Sequence, residues 1–291
     1  MAWIYGGPEV QAKMHRYLNG IEPKLERILV NTWNAEQAAI KFEEIRDAVI
    51  AGHFSFDRLE EWRQGYVKFV TDKLEPEWLA AFKAAGTPLA EAISRVPGTK
   101  LFAYNPQWRW VAEYTKTKGS ELITSLTNDQ LAAMQALIRH FTVDDPINPL
   151  AAARFIRPAI GLSEQQSAWL IGYRERLIED GFRGAQLEKA LTKKAEWYLR
   201  SRAKIIARNE MAKAWGHGQS NTMREAINDR RFPGRQVYKT WFTAEDERTC
   251  GACTEAGMFE PVPFDEPYPN GVTVPSDIHV SCRCDEGYSL E

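Results

Sequence analysis

A mainly α-helical chain closed by a small α+β module is what this sequence predicts, on three observations. Apolar residues recur at spacings of three and four along most of the stretch from Glu22 to Ile227. Val237-Tyr-Lys-Thr-Trp-Phe-Thr243 instead alternates and is rich in β formers. Beyond it, all four cysteines fall between Cys250 and Cys284, in text with many prolines and no helical period. The expected division is a helical N-terminal domain (1–149), a helical middle with a long basic helix (150–236), and a small hairpin with a Cys/His metal-binding module (237–291).

In order, Glu22 to Gly52 reads as one helix or a broken pair, with Leu25, Ile28, Leu29 and Trp33 and then Phe42, Ile45 and Val49 as apolar stripes and Pro23 in a first turn. A second helix starts from a cap at Ser55 or Asp57 and carries Leu59, Trp62, Tyr66, Phe69 and Val70, with Trp78 and Phe82 extending the set. Aromatics at helical spacing read as core. Gly86-Thr-Pro88 and Pro97-Gly98 break the pattern, and Trp108, Trp110 and Tyr114 either face a partner or pack between helices, the second being the commoner fate of aromatics. Thr127 or Asn128 is expected to cap a helix bearing Leu131, Met134, Leu137 and Ile138.

Ser163-Glu-Gln-Gln166 is a capping box, so a helix starts there, with Trp169, Leu170, Tyr173 and Leu177 as its buried stripe and Gly181 as its stop. From Leu187 a long basic helix passes through Trp197, Leu199, Ile205, Ile206 and Met211, strained at Gly216-His-Gly218, to end at Pro233-Gly234. After the strand at Val237, Gly257-Met-Phe-Glu260 is the expected return of a hairpin. Five prolines from Pro261 to Pro275 then stiffen a loop.

The chain has 291 residues, enough for one large or two ordinary domains, and a net charge of −2, which by itself points to no nucleic-acid or membrane partner. No run approaches the roughly 18 apolar residues of a membrane span. Charge is nevertheless uneven: Arg183 to Lys239 is basic, and the tail after Thr240 is acidic.

Cys250-Gly-Ala-Cys253 and His279-Val-Ser-Cys282-Arg-Cys284 offer five ligands, one more than a tetrahedral zinc needs. Two disulfides are the alternative, but the opening residues lack the basic and apolar regions of a secretory signal, so an oxidising compartment is not expected. No βαβ pattern surrounds C-x2-C, which argues against a redox motif, and neither H-E-x-x-H nor a phosphate loop is found. The zinc-deaminase order is reversed, and a surplus of ligands leaves no open coordination place, so the site reads as structural.

Three stretches in order resemble one family: Gly161-Leu-Ser163; Ile206-Ala-Arg-Asn-Glu210-Met-Ala-Lys-Ala214 with Gly218; and Lys239-Thr-Trp241 through Cys250 and Cys253 to His279-Val-Ser-Cys282-Arg-Cys284. The family is the minor head, or head-morphogenesis, proteins of tailed bacteriophages named after the F protein of phage Mu, and the resemblance covers roughly Leu150 to Tyr288. Members typically read I-A-R-T-E where this chain has Asn209, and H-P-N-C-R-C where it has Val280 and Ser281. The candidate ligands survive both departures, and whether His279 or Cys284 is the fourth is open at this point.

The resemblance implies a virion head protein, made in the host cytoplasm and placed near the portal, acting in head assembly and in handling packaged double-stranded DNA, with portal protein and other head proteins as partners and no membrane. It gives the basic helix a role: Lys193, Lys194, Arg200, Arg202, Lys204, Arg208 and Lys213 would meet phosphates without sequence preference or dock on the portal, against the plainer reading of a solvated helix face. Arg208 and Glu210 could instead form a buried pair. Some relatives continue into a toxin or enzyme domain, which is not expected in a sequence ending at Glu291. The alternatives are a metal-dependent nuclease or hydrolase using Asp246, Glu247 or His217 as base, disfavoured by a closed thiolate site, and a zinc-knuckle nucleic-acid adaptor.

Overall fold

A computed structural model describes residues 1–291. Its chain order is β1 (Ala2–Tyr5), α1 (Pro8–Ala39), α2 (Phe42–Ala51), α3 (Phe56–Phe69), α4 (Glu75–Ser94), α5 (Arg109–Arg139), α6 (Pro149–Ile156), α7 (Glu164–Glu179), α8 (Gly184–Asn228), β2 (Val237–Phe242), α9 (Gly251–Ala256), β3 (Val262–Pro263) and β4 (Asp285–Leu290). The expected class, mainly α with a small C-terminal α+β module, is the observed one.

Contacts divide the molecule into two compact units, one of Met1–Lys24, Glu75–Thr115 and Ile205–Glu291, the other of Leu25–Leu74 and Lys116–Lys204. These differ from the sequence division at 149/150 and 236/237. Three helices, α1, α5 and α8, contribute residues to both units, so each unit is built of discontinuous segments.

In the second unit, α3 begins where Ser55 accepts from the Arg58 amide, and α7 begins at the capping box, Ser163 and Gln166 each holding the other's backbone N–H. Trp33, fully buried, donates its indole N–H to the Tyr66 hydroxyl at 3.0 Å, and that hydroxyl donates to Gln130. Arg202 stacks on Trp33 with its guanidinium carbon 5.3 Å from the ring centroid. Leu25, Leu29, Phe69, Met134, Leu137, Phe141 and Ile156 add to this apolar interior.

The first unit contains the sheet, whose order is β1-β4-β2-β3 with every pairing antiparallel. The partners of β2 are thus β3 and β4, the latter in register from Val237↔Leu290 to Phe242↔Asp285. The expected returning strand at Gly257–Glu260 is not formed, because the cysteine turn continues into α9 and the chain turns again before β3. A strand at Ala2–Tyr5, unforeseen in the sequence, covers the other edge of β4.

Five other local expectations are corrected. Pro23 lies inside α1, and Pro88 inside α4. Thr127 is not a cap but a mid-helix residue of α5, its hydroxyl donating to the Ile123 carbonyl at 2.7 Å. Gly216 and Gly218 do not strain α8: they let neighbours approach it, since a Cβ at Gly218 would lie 2.9 Å from Phe82 Cα and one at Gly216 would lie 2.8 Å from Ser276 Oγ. Trp169 and Trp197 are 49% and 57% exposed, so the first is not part of a buried stripe. Trp110 and Tyr114, by contrast, pack at 5.0 Å on Phe82 as core.

Candidate metal centre

Cys250 is the N-cap of α9 and Cys253 lies in its first turn, so one short helix aims two sulfurs the same way. The other arm, His279 to Cys284, comes off a 3-10 turn at Pro275–Asp277 and runs into β4. The two arms meet. His279 Nε2 lies 3.2 Å from Cys250 Sγ and 3.0 Å from Cys253 Sγ, and Cys253 Sγ lies 3.9 Å from Cys282 Sγ. Ligand atoms fall into two mutually close triads, Cys250/Cys253/His279 and Cys253/Cys282/Cys284, which share Cys253. All five ligands predicted from the sequence are therefore brought together.

All four cysteines are free thiols, and 3.9 Å between Cys253 and Cys282 is nearly twice a disulfide bond of about 2.05 Å. That spacing suits metal ligation instead: bonds of about 2.3 Å in a tetrahedron put sulfurs about 3.8 Å apart. The ring of His279 is set for the same purpose. Its Nδ1 lies 3.0 Å from the Val280 carbonyl, and a proton donated there leaves Nε2 as a lone pair facing the sulfurs.

Proton affinities within the cluster are pushed apart. Cys282 is drawn down, first by the hydrogen bond from the Cys284 side chain, with its burial opposing. Cys253 is pushed up by burial and by the Cys282 charge, and Cys284 rises because it donates to Cys282 and is buried. Cys250 is lowered by the Cys253 backbone N–H. For His279, burial pulls downward, but the Val280 carbonyl and the Cys282 and Cys250 charges leave it raised overall. Crowded sulfurs thus share few negative charges until a cation displaces their protons, which is how a soft divalent ion binds such a set.

A small core supports the centre. Trp241, Ala256 and Tyr268 pack with Cys253, Cys282 and Cys284, and the Trp241 and Tyr268 rings meet edge to face at 5.0 Å. Asp246 clasps Arg283 with both carboxylate oxygens and accepts from the Arg248 amide at 3.0 Å, so its carboxyl is held well below the usual range by the guanidinium. From α1, Gln11 Nε2 donates to the Arg283 carbonyl at 3.1 Å, and His15 Nε2 lies 3.0 Å from it. Sequence reasoning missed Gln11, His15 and Arg283, the first two because nothing local marks residues more than 260 positions away.

Beside the centre, Lys239 and Glu286 are fully buried: Lys239 Nζ donates to the Thr273 carbonyl at 3.0 Å, and Glu286 accepts from Tyr268 at 3.0 Å and Tyr288 at 2.8 Å. His217 Nε2 lies 3.0 Å from Asp277, while Glu247 is exposed.

The basic residues of α8 separate by environment. Lys193, Arg200 and Lys204 are exposed and Lys194 is half-buried against aromatics. Arg202 is buried, donating to Asp129 at 2.8 Å and to the Gly161 carbonyl. Arg208 pairs with Glu22 at 3.0 Å and Asn19 at 3.1 Å, and Lys213 is half-buried. The stretch is thus three exposed cations with inward-turned arginines among them, not one continuous charged face.

Residues 174–286 match the sequence profile of a family described as "Phage Mu protein F like protein". The matched segment contains α8, the sheet strand β2 and all five candidate ligands. Comparison with curated proteins and with solved structures gives no match. No helix is long and apolar enough to cross a membrane.

Proposed function

We propose that this chain, phage Mu protein F-like over residues 174–286, is a minor head protein of the virion that acts in head assembly near the portal and contacts packaged DNA. The family match supports a phage head protein, and it is the observation that carries the reading. Zinc is the proposed metal, because a set of thiolates and one imidazole, with no oxygen donor among them, suits it best. Cys250, Cys253, His279 and Cys282 hold it, and Cys284 remains a thiol donating to Cys282. Bound, the ion supplies no chemistry of reaction: it ties two loops together.

The proposed role is non-catalytic. Of the three bases in the nuclease alternative, Asp246 is already engaged by Arg283 and by its own turn, and His217 by Asp277. The exposed cations Lys193, Arg200 and Lys204 supply the sequence-independent attraction to phosphate, while Arg202 and Arg208 serve internal pairing.

Particle analysis tests the reading. The protein should appear in purified virions in few copies, and its absence from particles ends the assignment. Affinity for duplex DNA should fall steeply with added salt and ignore sequence. Salt-insensitive binding, or none, leaves the portal as the surface these cations meet.

A further inference from the structure

On α7, Trp169 and Tyr173 stand one turn apart, and on α8, Lys194, Trp197 and Tyr198 share a face at spacings of three and four. Their rings form one cluster: Tyr198 lies 5.9 Å from Trp169 and 5.2 Å from Trp197, centroid to centroid. Tyr198 is buried, but the two indoles are 49% and 57% exposed. Lys194 Nζ sits 4.3 Å from the Trp197 ring, 4.9 Å from Tyr198 and 5.6 Å from Tyr173. Lys193 and Arg200 are exposed on the same helix, with exposed Glu196 the acid among them.

We propose that Trp169 and Trp197 are a stacking platform for unpaired bases of single-stranded DNA, with Lys193, Lys194 and Arg200 as phosphate partners. The inference deepens the DNA-contact reading and rests on it.

Helical patterning would bury these indoles, and their exposure leaves flat π faces in water. The ammonium held against the rings sets a positive charge beside the aromatic surface, which draws a phosphate towards the place where its base then stacks. A protein partner fits less well, since the buried centres of protein interfaces are depleted in lysine and Lys194 lies at the middle of this patch. A duplex fits less well too. Its bases already stack on one another and offer no free face, so it would use the cations alone.

The test is anisotropy with a labelled oligothymidine and with a duplex of equal length, on the full-length protein and its variants. Stacking contributes about tenfold in affinity per base, so Trp169→Ala and Trp197→Ala should each weaken oligothymidine binding about tenfold, with duplex binding and the salt slope unchanged. Trp→Phe at either site should restore most of the loss. Trp→Gln, which keeps helix propensity and removes the ring, replaces any alanine variant that unfolds.

If the ring-deleted proteins bind oligothymidine as well as the parent while Lys193→Met and Arg200→Met weaken both DNAs, the platform is refuted and the DNA reading stands. Parent protein that binds neither DNA refutes both. Portal protein captured through Trp169 and Trp197, with no oligothymidine binding, also overturns the proposal.

Discussion

Between Thr243 and Cys284 the chain contains six residues of α-helix, a two-residue strand and a single 3-10 turn, while the unit of Leu25–Leu74 and Lys116–Lys204 is almost wholly helical. Both regions meet the entropy of ordering a chain, about 1–2 kcal/mol per residue, but by different means. The helical unit buries periodic apolar stripes around Trp33 and Tyr66, each neighbour adding a little. The cysteine module buries few apolar side chains and gathers five ligand atoms instead, so its order is concentrated in one place. Concentrated order fails all at once, and distributed order fails by degrees.

The sharpest way to break this contrast is Cys253→Ser, since Cys253 belongs to both triads. A structural zinc contributes about 10–16 kcal/mol of apparent binding free energy, so metal content should fall from about one ion per chain to near zero. Amide exchange should accelerate over residues 243–284 and stay slow around Trp33. Equal loosening of both regions would erase the distinction.

On the helical side, Trp33→Ala should destabilise by about 3–5 kcal/mol in denaturant titration, from the lost indole and the cavity it leaves. Metal content of the folded protein should not change. A loss under 1 kcal/mol would mean that this core is less concentrated around Trp33 than its burial suggests.

Glu36, in the same unit, gives a pH-dependent measure. Burial pushes its carboxyl up to about 8 from an ordinary 4.5, with the Gln130 hydrogen bond opposing. The folded state therefore holds a proton that the unfolded chain releases, and Glu36 lowers stability as pH rises from 4.5 to about 8. Glu36→Gln should flatten that fall, so its advantage in melting temperature over the parent grows across the interval and levels off above it. A constant difference at all pH values would contradict the burial argument.

The smallest effects lie in the loop around His279. Ser281 has φ of 62°, in the left-handed region that asparagine tolerates better than serine, which gives a physical reason for the asparagine typical of the family there. Ser281→Asn should stabilise the module by up to about 1 kcal/mol, seen as slower local exchange. Cys284→Ser should leave the metal bound, whereas His279→Ala should weaken it. The opposite pattern would make Cys284 the fourth ligand.

Much of this was legible in the chain alone. The Cys/His cluster could be read because such spacing is local: C-x2-C and H-x2-C-x-C carry their geometry in their spacing, and the tertiary fold has only to bring two arms together. The capping box at Ser163 and the run of α8 were likewise legible, since backbone donors and apolar periodicity act within a few residues. The strand β4 was not. Asp285-Glu-Gly-Tyr-Ser-Leu290 lacks any alternation, yet all six residues are buried, because β1 and β2 flank it and Tyr268 and Tyr288 satisfy Glu286.

Sequence by itself determined the helical class, the long basic helix and the five candidate ligand residues, each a matter of short-range spacing. Only the tertiary structure decided that Ala2–Tyr5 would pair with the chain's last strand, that Arg202 and Arg208 would turn inward to Asp129 and Glu22, and that Trp169 and Trp197 would stay in water. The reason is that a charge or an indole carries no local mark of its partner. Which arginine is paired and which tryptophan is covered depends on side chains brought from distant positions, and those are placed only when the helices pack.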